Sequence, residues 1–365
     1  MTEADYYLGF SLSPTIGPKR FISLLSYFDS IEQAWFGSKE EYKDAGITGI
    51  YFEKFDTYRN ESKAYLINKK EELQNKTIQY IPQSDKLYPK QLLDLEGPPI
   101  GLFCKGKSSL LSVGKRVAVV GSRKITSYGK YVTELLSTSL SLSGITIVSG
   151  MALGVDAIAH GCAIHSNGKT IAVLGNGVDL PYPRENFDLY QQILKSNGLI
   201  ISEYPPGMQS VKGSFPSRNR IIAGLSIGVL VTEAGKNSGS LITAHEAKKI
   251  QRVVFSVPGS IQSEQSEGTN QLLKEGATIV LEAQDLLKTV GIQASSKIQT
   301  IDINELTLDE NSKNLLTILF HEPHSRDMLS KKMSLPITDI SRIVTTLELK
   351  GFVTENEHGL FTVTI

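Results

Sequence analysis

The feature that most constrains this chain is a repeated alternation of strand and helix patterns between residues 115 and 287. Short apolar runs rich in β-branched residues occur at residues 117–120, 145–148, 170–174, 199–202, 229–232 and 253–257. Helical patterns fit between them, at residues 128–143, 155–165, 186–195, 217–225 and 240–250. Strands joined by crossover helices form a mainly parallel sheet that is covered on both faces. The predicted fold class is therefore α/β, with ligands bound where the carboxyl ends of the strands lead into loops.

The regions on either side of this alternation have other patterns. Residues 1–76 predict a small domain of short helices, with apolar residues at helical spacing. Residues 79–115 are rich in proline and predict a loop-like connector, which places the central domain at residues 77–287. Residues 288–310 are polar and predict a linker.

The tail, residues 311–365, predicts a winged-helix-like domain. Three helical patterns, the second and third at residues 326–333 and 337–349, are followed by two short strands that would form a hairpin. The third helix carries Arg342 and Lys350 but also Asp339 and Glu348. A helix that reads the major groove usually has a basic face. A protein contact and DNA binding therefore both remain open for the tail.

The charge of the chain is uneven along its length. The sequence has 38 basic and 38 acidic residues, and a net charge of zero by itself argues against a nucleic-acid partner. However, residues 97–133 contain seven basic residues and no acidic one. The distribution of charge matters more than its sum, so the middle of the chain is predicted to be locally positive.

The cysteine count and the hydropathy indicate the compartment. Cys104 and Cys162 are the two cysteines, too few for a secreted disulfide framework or a structural zinc site. The N-terminus lacks the pattern of a secretory signal, and no apolar run is long enough to span a bilayer. We therefore expect a cytoplasmic protein that does not insert into membranes.

Two loops after predicted strands could bind an anion. Gly121, Ser122 and Arg123 follow the first central strand, where a dinucleotide fold would show G-x-G-x-x-G. An arginine at this place suits a single phosphate and favours a phosphodiester or nucleotide over NAD. The loop around Gly150 opens a helix whose free amides would attract an anion. Asp156 is predicted to cap that turn.

A third constellation combines cations with an aromatic ring in nine residues. It contributes Lys212, Phe215, Arg218, Asn219 and Arg220. The cations would follow phosphates, while a base would stack on a partly exposed Phe215. Arg218 and Arg220 are two residues apart on a helix and cannot share one face. One of them is therefore expected to contact DNA and the other to pair internally.

A fourth junction, after the fifth predicted strand, adds small polar residues to this set. It contributes Ser238, Gly239 and Ser240, which lie where a helix would begin. Two motifs of catalysis occur only as bare spacings, G-x-x-x-x-G-K-[ST] at residues 101–108 and G-x-S-x-G at residues 224–228, and neither joins a predicted strand to a predicted helix as the catalytic forms do. Clusters with the spacing of catalytic metal ligands do not occur in the sequence. His160 has no ligand partner at suitable spacing and is predicted to be a packed helix residue. We therefore expect no catalytic residue, no metal and no cofactor, and a protein that is not an enzyme.

Together these segments resemble the DNA-processing protein A (DprA, or Smf) family. The resemblance rests on Gly121-Ser122-Arg123, residues 149–156, Tyr182-Pro183, Ser202-Glu203, the element F-P-x-R-N-R-I-I at residues 215–222, residues 238–241, and Val257-Pro258-Gly259. It extends from about residue 88 to residue 287. The N-terminal segment and the tail resemble, more loosely, a SAM or helix-hairpin-helix domain and a winged-helix domain of the same family.

The resemblance implies an extended Rossmann-like fold, a homodimer and sequence-independent binding of single-stranded DNA. It also implies a function in natural transformation, in which such proteins protect incoming strands, act on strands covered by single-strand-binding protein and load the RecA recombinase. By position in the family pattern, Arg123, Lys212, Phe215 and residues 218–220 would line the DNA pocket. A dimer contact near residues 270–280 is expected from the resemblance alone.

The alternative is a nucleotide-binding Rossmann-like enzyme of the phosphoribohydrolase type. That family carries P-G-G-x-G-T-x-x-E after a similar strand. Here Ser240-Leu241-Ile242-Thr243 stands where the G-T-x-x-E portion would fall, and Glu246 does not restore the spacing. The glutamate that such catalysis requires is therefore not in place.

Overall fold

The chain divides into two units, which the computed structural model describes at residues 1–47, 49–291, 308–321, 323–355 and 359–363. The first unit is Met1–Ser295 and the second is Ser296–Ile365. Most of the predicted linker, residues 292–307, lies outside the described residues.

Nine strands of the described part of the first unit form one sheet. They are β1 (Gln79–Pro82), β2 (Gly101–Gly106), β3 (Arg116–Val120), β4 (Thr146–Ser149), β5 (Thr170–Val173), β6 (Leu199–Ser202), β7 (Gly228–Val231), β8 (Val253–Ser256) and β9 (Thr278–Ile279). Their order is β1-β2-β6-β5-β4-β3-β7-β8-β9, and the pairing is parallel from β6 through β9. The predicted α/β class is confirmed, and the six predicted strands agree with the structure to within one residue at each end.

The direction in which the sheet winds reverses at β3. Strands β4 to β6 follow on one side of β3, and β7 to β9 follow on its other side. At such a switch point the loops after the two central strands turn to opposite faces and leave a crevice between them. A ligand site is therefore expected at the loops after β3 and β7.

The prediction of a loop-like connector at residues 79–115 is wrong. β1 and β2 extend the sheet, with β2 antiparallel to β6 and β1 antiparallel to β2. Leu102 and Phe103 of β2 are both fully buried, in the apolar clusters on opposite faces of the sheet. The partner strand β6 lies about a hundred positions later, with Phe103 opposite Ser202. Local composition, dominated by prolines, does not show such a long-range pairing.

Helices cover both faces of the sheet. In the first unit they are α1 (Glu3–Leu12), α2 (Pro18–Tyr27), α3 (Ile31–Phe36), α4 (Lys39–Asp44), α5 (Ile50–Asn75), α6 (Ser127–Leu142), α7 (Val155–His165), α8 (Phe187–Lys195), α9 (Ser214–Leu225), α10 (Ser240–Lys249), α11 (Glu267–Lys274) and α12 (Ala283–Thr289). Apolar residues of α9 and α10 pack on one face, and those of α8 and the N-terminal helices pack on the other. No helix within the described ranges is both long and apolar enough to cross a bilayer.

The N-terminal helices share a hydrophobic core with the sheet. The Phe10 and Phe55 rings stack, and the Trp35 ring meets both of them edge to face, at ring-centroid distances of 5.1 to 5.3 Å. Their cluster continues into Ile100 and Ile200, beside and within the sheet. Burial of this continuous apolar surface stabilises helices and sheet as one unit, at about 25 cal/mol per Å² removed from water.

The second unit has the winged-helix pattern. It contains α13 (Glu310–His321), α14 (Arg326–Met333), α15 (Ile337–Leu349), β10 (Val353–Glu355) and β11 (Phe361–Val363). Leu316, Leu329, Val344 and Phe361 are fully buried in its core. β10 and β11 pair antiparallel as the predicted hairpin, although the tip at residues 356–358 lies outside the described residues.

Candidate functional site

A cavity of about 860 Å³ lies at the switch point of the sheet, and we refer to it as the main pocket. Five segments line it: the loop after β3, the loop after β4 with the start of α7, the first turns of α9, the loop after β7 with the start of α10, and the residues that lead into α11. Of the predicted site residues, it brings together Gly121, Ser122, Arg123, Phe215, Arg218, Asn219, Ser238, Gly239 and Ser240. Gly150, Lys212 and Arg220 are not among its lining residues.

The loop after β3 is fixed by its backbone and leaves its cations free. The Ser122 amide donates to the Glu233 carbonyl at 2.7 Å, and the Ser122 side chain is hydrogen-bonded to the Gln265 side chain at 2.8 Å. A Cβ at Gly121 would lie 2.5 Å from Val155 and 2.7 Å from the Glu233 carbonyl, so only glycine fits there. Arg123 and Lys124 are exposed and have no ion-pair partner among the described residues. These two charges are therefore available to an anion.

Gly150 holds other residues of the pocket in place, and its amide is already used in a hydrogen bond within the protein. Its N–H donates to the Asp156 carboxylate at 3.1 Å, and the Ala152 N–H donates to the same oxygen at 3.3 Å. The prediction that Asp156 caps this turn is confirmed, and the prediction of an anion-binding amide at Gly150 is corrected because the cap already occupies it. A Cβ at Gly150 would lie 2.3 Å from the Arg218 guanidinium, so the glycine makes room for that side chain.

Arg218 forms the floor of the main pocket. The residue is 4% exposed, and its Nη1 donates to the Gly150 carbonyl at 2.6 Å and also to the Val173 carbonyl. Burial lowers the pKa of Arg218 to about 10, opposed by the nearby Asp156 carboxylate, so the guanidinium remains charged near neutral pH. Its positive charge contributes to the field inside the pocket, while its donors are used within the protein.

Arg220 points away from the main pocket. Its guanidinium forms an ion pair with Glu203, whose side chain is 9% exposed. Burial raises the pKa of the Glu203 carboxyl, and the Arg220 charge opposes this effect. The prediction that one of the two arginines pairs internally is confirmed. The inclusion of Arg220 in the DNA site stays a prediction, and the structure pairs its charge with a buried carboxylate.

Phe215 lies at the edge of the main pocket in the first turn of α9. That helix begins at Ser214, three residues before the predicted start, with Pro216 in its first turn. The Phe215 ring is half-buried, 5.6 Å from the Tyr182 ring and 5.7 Å from the Arg123 guanidinium, measured between centres. An aromatic face thus stands directly beside a free cation.

The remaining predicted residues lie around the start of α10 and before α9. The Asn219 side-chain amide donates to the Gly239 carbonyl at 3.1 Å, which joins α9 to the loop after β7. The Ser238 and Ser240 hydroxyls are 2.8 Å apart. The residues at the N-terminus of α10 line the pocket, and the helix dipole favours an anion there. The amides of residues 240–242 already donate to Ser238 and Gly239. Lys212 is exposed in the segment that precedes α9.

Several lining residues were missed in the sequence. Lys124 and Lys236 add exposed positive charges, and both lie within a few residues of predicted site residues. Glu264, Gln265 and Glu267 line the pocket from the side of α11. The hydrogen bond between Ser122 and Gln265 spans 143 positions, so no local pattern could have indicated that wall.

His160 confirms its predicted structural role. It is fully buried, and its Nδ1 lies 2.6 Å from the Thr170 hydroxyl. Burial, together with the Arg218 charge, lowers the pKa of His160 to about 3. Within the described part of the chain, no group of three or more His, Cys, Asp or Glu residues is placed to hold a metal ion.

Comparison with known proteins assigns these segments to one family. Residues 79–291 match the family described as DNA recombination-mediator protein A, and residues 304–357 match the DprA winged helix domain. The chain belongs to the DNA recombination-mediator protein A (DprA) family. The DprA family match covers every strand from β1 to β9 and each segment that lines the main pocket.

Individual relatives agree with the assignment to the DprA family. Protein Smf of Synechocystis is 34% identical, and the alignment covers 97% of each chain. DNA processing protein DprA of Streptococcus pneumoniae is 46% identical over 56% of this chain and 71% of that relative. The X-ray structure of the pneumococcal protein matches with a TM-score of 0.69 and 36% identity, covering 79% of this chain and 98% of that one.

A second solved structure comes from Helicobacter pylori and concerns the single-stranded DNA binding mode of its DNA processing protein A. It matches with a TM-score of 0.53 and 37% identity, covering 58% of this chain and 95% of that one. In both matches more than a third of the aligned residues are identical, so both support the DprA fold for this chain. The Rossmann-like architecture of the first unit is confirmed.

Proposed function

We propose that this protein binds single-stranded DNA without base specificity and holds it in the main pocket. The observation that carries the proposal is the meeting of two unpaired cations, Arg123 and Lys124, with the half-buried Phe215 ring. Cations that neutralise phosphates and a ring on which a base stacks are the two elements of sequence-tolerant single-strand binding. The relative from Helicobacter pylori, which is described as binding single-stranded DNA, supports the proposal.

The two sides of the main pocket would orient the strand. Arg123, Lys124 and Lys236 attract the phosphates, whereas Glu264 and Glu267 repel them. The phosphate backbone would then follow the basic side and the N-terminus of α10, and the bases would turn towards Phe215. Neither a metal nor a covalent step is needed for this function, because binding uses charge and stacking alone.

We further propose the cellular role that membership in the DprA family suggests. The protein would act in the cytoplasm during natural transformation, protect incoming single strands, act with single-strand-binding protein and load the RecA recombinase. The phosphoribohydrolase alternative gains no support from the loop after β7. There the Glu233 carboxylate is 2% exposed and accepts hydrogen bonds from the Thr126 amide and hydroxyl.

A homodimer formed near residues 270–280 is also part of this proposal. β9 is the last strand of the sheet in the described chain, and Ile279 is 48% exposed and Leu281 73% exposed beside it. A sheet edge with exposed apolar side chains is a surface on which a second copy can pair. Light scattering at micromolar concentration is expected to show a dimer, and a monomer alone would contradict this part.

The function is tested by competition between single-stranded and duplex DNA. The protein is mixed with a labelled single-stranded oligonucleotide of mixed sequence, and unlabelled single strand or blunt duplex of the same sequence is added. We expect single strand to displace the label at a much lower concentration than duplex, because stacking on Phe215 requires unpaired bases. Equal displacement by duplex would contradict the proposal.

A further inference from the structure

A second cavity, of about 470 Å³, is lined in part by two of the chain segments that line the main pocket. We refer to it as the serine pocket, and its lining residues are Thr126, Tyr128, Glu233, Pro258, Gly259, Ser260, Ser263 and Ser266. On one segment, Ser122 to Lys124 line the main pocket, while Thr126 and Tyr128 line the serine pocket. On the other, Glu264 and Gln265 line the main pocket, and Ser263 and Ser266 line the serine pocket. The two cavities are therefore neighbours.

The chemistry of the serine pocket differs from that of the main pocket. Its lining residues include hydroxyls and one carboxylate but neither lysine nor arginine. The carboxylate, Glu233, is buried and held by the Thr126 amide at 2.8 Å. A negative charge without a compensating cation repels a phosphate. Such a cavity suits a neutral group that forms hydrogen bonds.

The serine pocket also contains an unused polar group. Ser266 is 4% exposed and lines the cavity, and its hydroxyl has no hydrogen-bond partner among the residues that the structure describes. A Cβ at Gly259 would lie 2.1 Å from that hydroxyl, so the glycine leaves the space beside it open. The Asn270 side chain holds Gly259 in place, accepting from its N–H at 3.2 Å and donating to its carbonyl at 3.0 Å. A hydroxyl that lines an open cavity without a protein partner is available to a polar group that enters the cavity.

An aromatic ring stands at the rim of the serine pocket. Tyr128 is 47% exposed, and its hydroxyl donates to the Pro258 carbonyl at 2.8 Å. This hydrogen bond fixes the ring between the start of α6 and the loop after β8. An exposed, immobilised ring is a surface on which a base can stack.

We propose that the serine pocket receives a nucleoside unit, a base with its sugar, from a single strand whose adjoining phosphates lie in the main pocket. The inference rests on the proposed function and extends it to a second subsite. Lys124 and Thr126 are two residues apart, so their Cα atoms are at most about 7 Å from each other. A phosphate beside Lys124 and the nucleoside attached to it can therefore occupy the two cavities together. The hydroxyls and the uncompensated Glu233 carboxylate then select the nucleoside in place of another phosphate.

The test compares Tyr128→Ala with Tyr131→Ala across a series of single-stranded oligonucleotides of increasing length. Tyr131 is on the same helix and 54% exposed but does not line either cavity, so it is the matched control. For oligonucleotides long enough to reach both cavities, we expect Tyr128→Ala to bind about fivefold to a hundredfold more weakly than wild type. For the shortest oligonucleotide that binds, and for Tyr131→Ala at every length, the affinity is expected to be unchanged.

Two further measurements make the outcome decisive. A Ser263→Phe variant, which fills the serine pocket, is expected to show the same length-dependent loss at an unchanged melting temperature. Because the pocket holds no phosphate, Tyr128→Ala should leave the salt dependence of binding as steep as in wild type. Equal affinity of Tyr128→Ala and wild type at every length, or a shallower salt dependence, would overturn the second subsite. Absence of wild-type binding to any single strand would instead overturn the proposed function itself.

Discussion

The loop after β3 and the first turns of α9 both bring cations to the main pocket, but they use them in opposite ways. Arg123 and Lys124 of the loop are exposed and unpaired among the described residues. On α9, the buried Arg218 donates to the Gly150 carbonyl, and the partly buried Arg220 is paired with Glu203. The loop therefore offers charge to a ligand, and α9 uses charge to hold the pocket together. A dense cluster of arginines in a motif is thus as much evidence for framework as for binding.

The largest effect that separates the two regions is expected from Arg218→Ala. Removing the buried Arg218 guanidinium leaves the Gly150 and Val173 carbonyls without a donor and Asp156 without a nearby positive charge, which costs about 3–5 kcal/mol of the free energy of unfolding. Arg123→Ala, the same substitution at an exposed site, should change that free energy by less than about 0.5 kcal/mol. Denaturant unfolding of both variants measures the difference. If Arg218→Ala and Arg123→Ala were equally stable, the distinction between a structural arginine on α9 and a free arginine in the loop after β3 would be lost.

Phe215→Ala tests the one residue of α9 that we assign to the ligand. Loss of a stacking ring is expected to weaken single-strand affinity by about 1–3 kcal/mol with an unchanged melting temperature. Phe187→Ala serves as control, because that ring is 51% exposed on α8 and does not line the main pocket. If Phe215 were instead part of the core, truncation would cost about 3–5 kcal/mol of stability and the folded fraction would bind normally.

The buried His160, whose pKa is affected by the nearby Arg218 charge, predicts a pH dependence of stability. His160 has a pKa of about 3 in the folded protein, against about 6.5 in an unfolded chain. The folded state excludes a proton that the unfolded state binds, so this contribution to stability is complete above pH 6.5 and is lost as the pH falls towards 3. Between pH 7 and pH 5 the loss amounts to about 2 kcal/mol. The free energy of unfolding is measured for wild type and His160→Gln at both pH values. Between pH 7 and pH 5 it should fall by about 2 kcal/mol more in wild type than in the variant. An equal fall in both proteins would contradict the assignment.

The sequence predicted the centre of the fold better than its edges. β3 to β8 are short, continuous apolar runs whose character is local, so they were found to within one residue. β1 and β2 were missed because their place in the sheet depends on pairing with β6, far along the chain. The site followed the same rule. Loop residues such as Arg123 were predicted from their neighbours, whereas the partner of Arg220 and the role of Gly150 depend on side chains brought together by folding.

The central claim, that the free cations of the loop after β3 hold the phosphates of a single strand, is tested most directly by the salt dependence of binding. The logarithm of the association constant for a single-stranded oligonucleotide is measured against the logarithm of salt concentration for wild type, Arg123→Ala and Lys63→Ala. Lys63 is an exposed lysine on α5 and controls for loss of one charge. We predict a steep wild-type slope of about −0.7 for each phosphate contacted, a slope shallower by about 0.7 in Arg123→Ala, and no change in Lys63→Ala. A flat response in wild type, or equal slopes in wild type and Arg123→Ala, would contradict the claim.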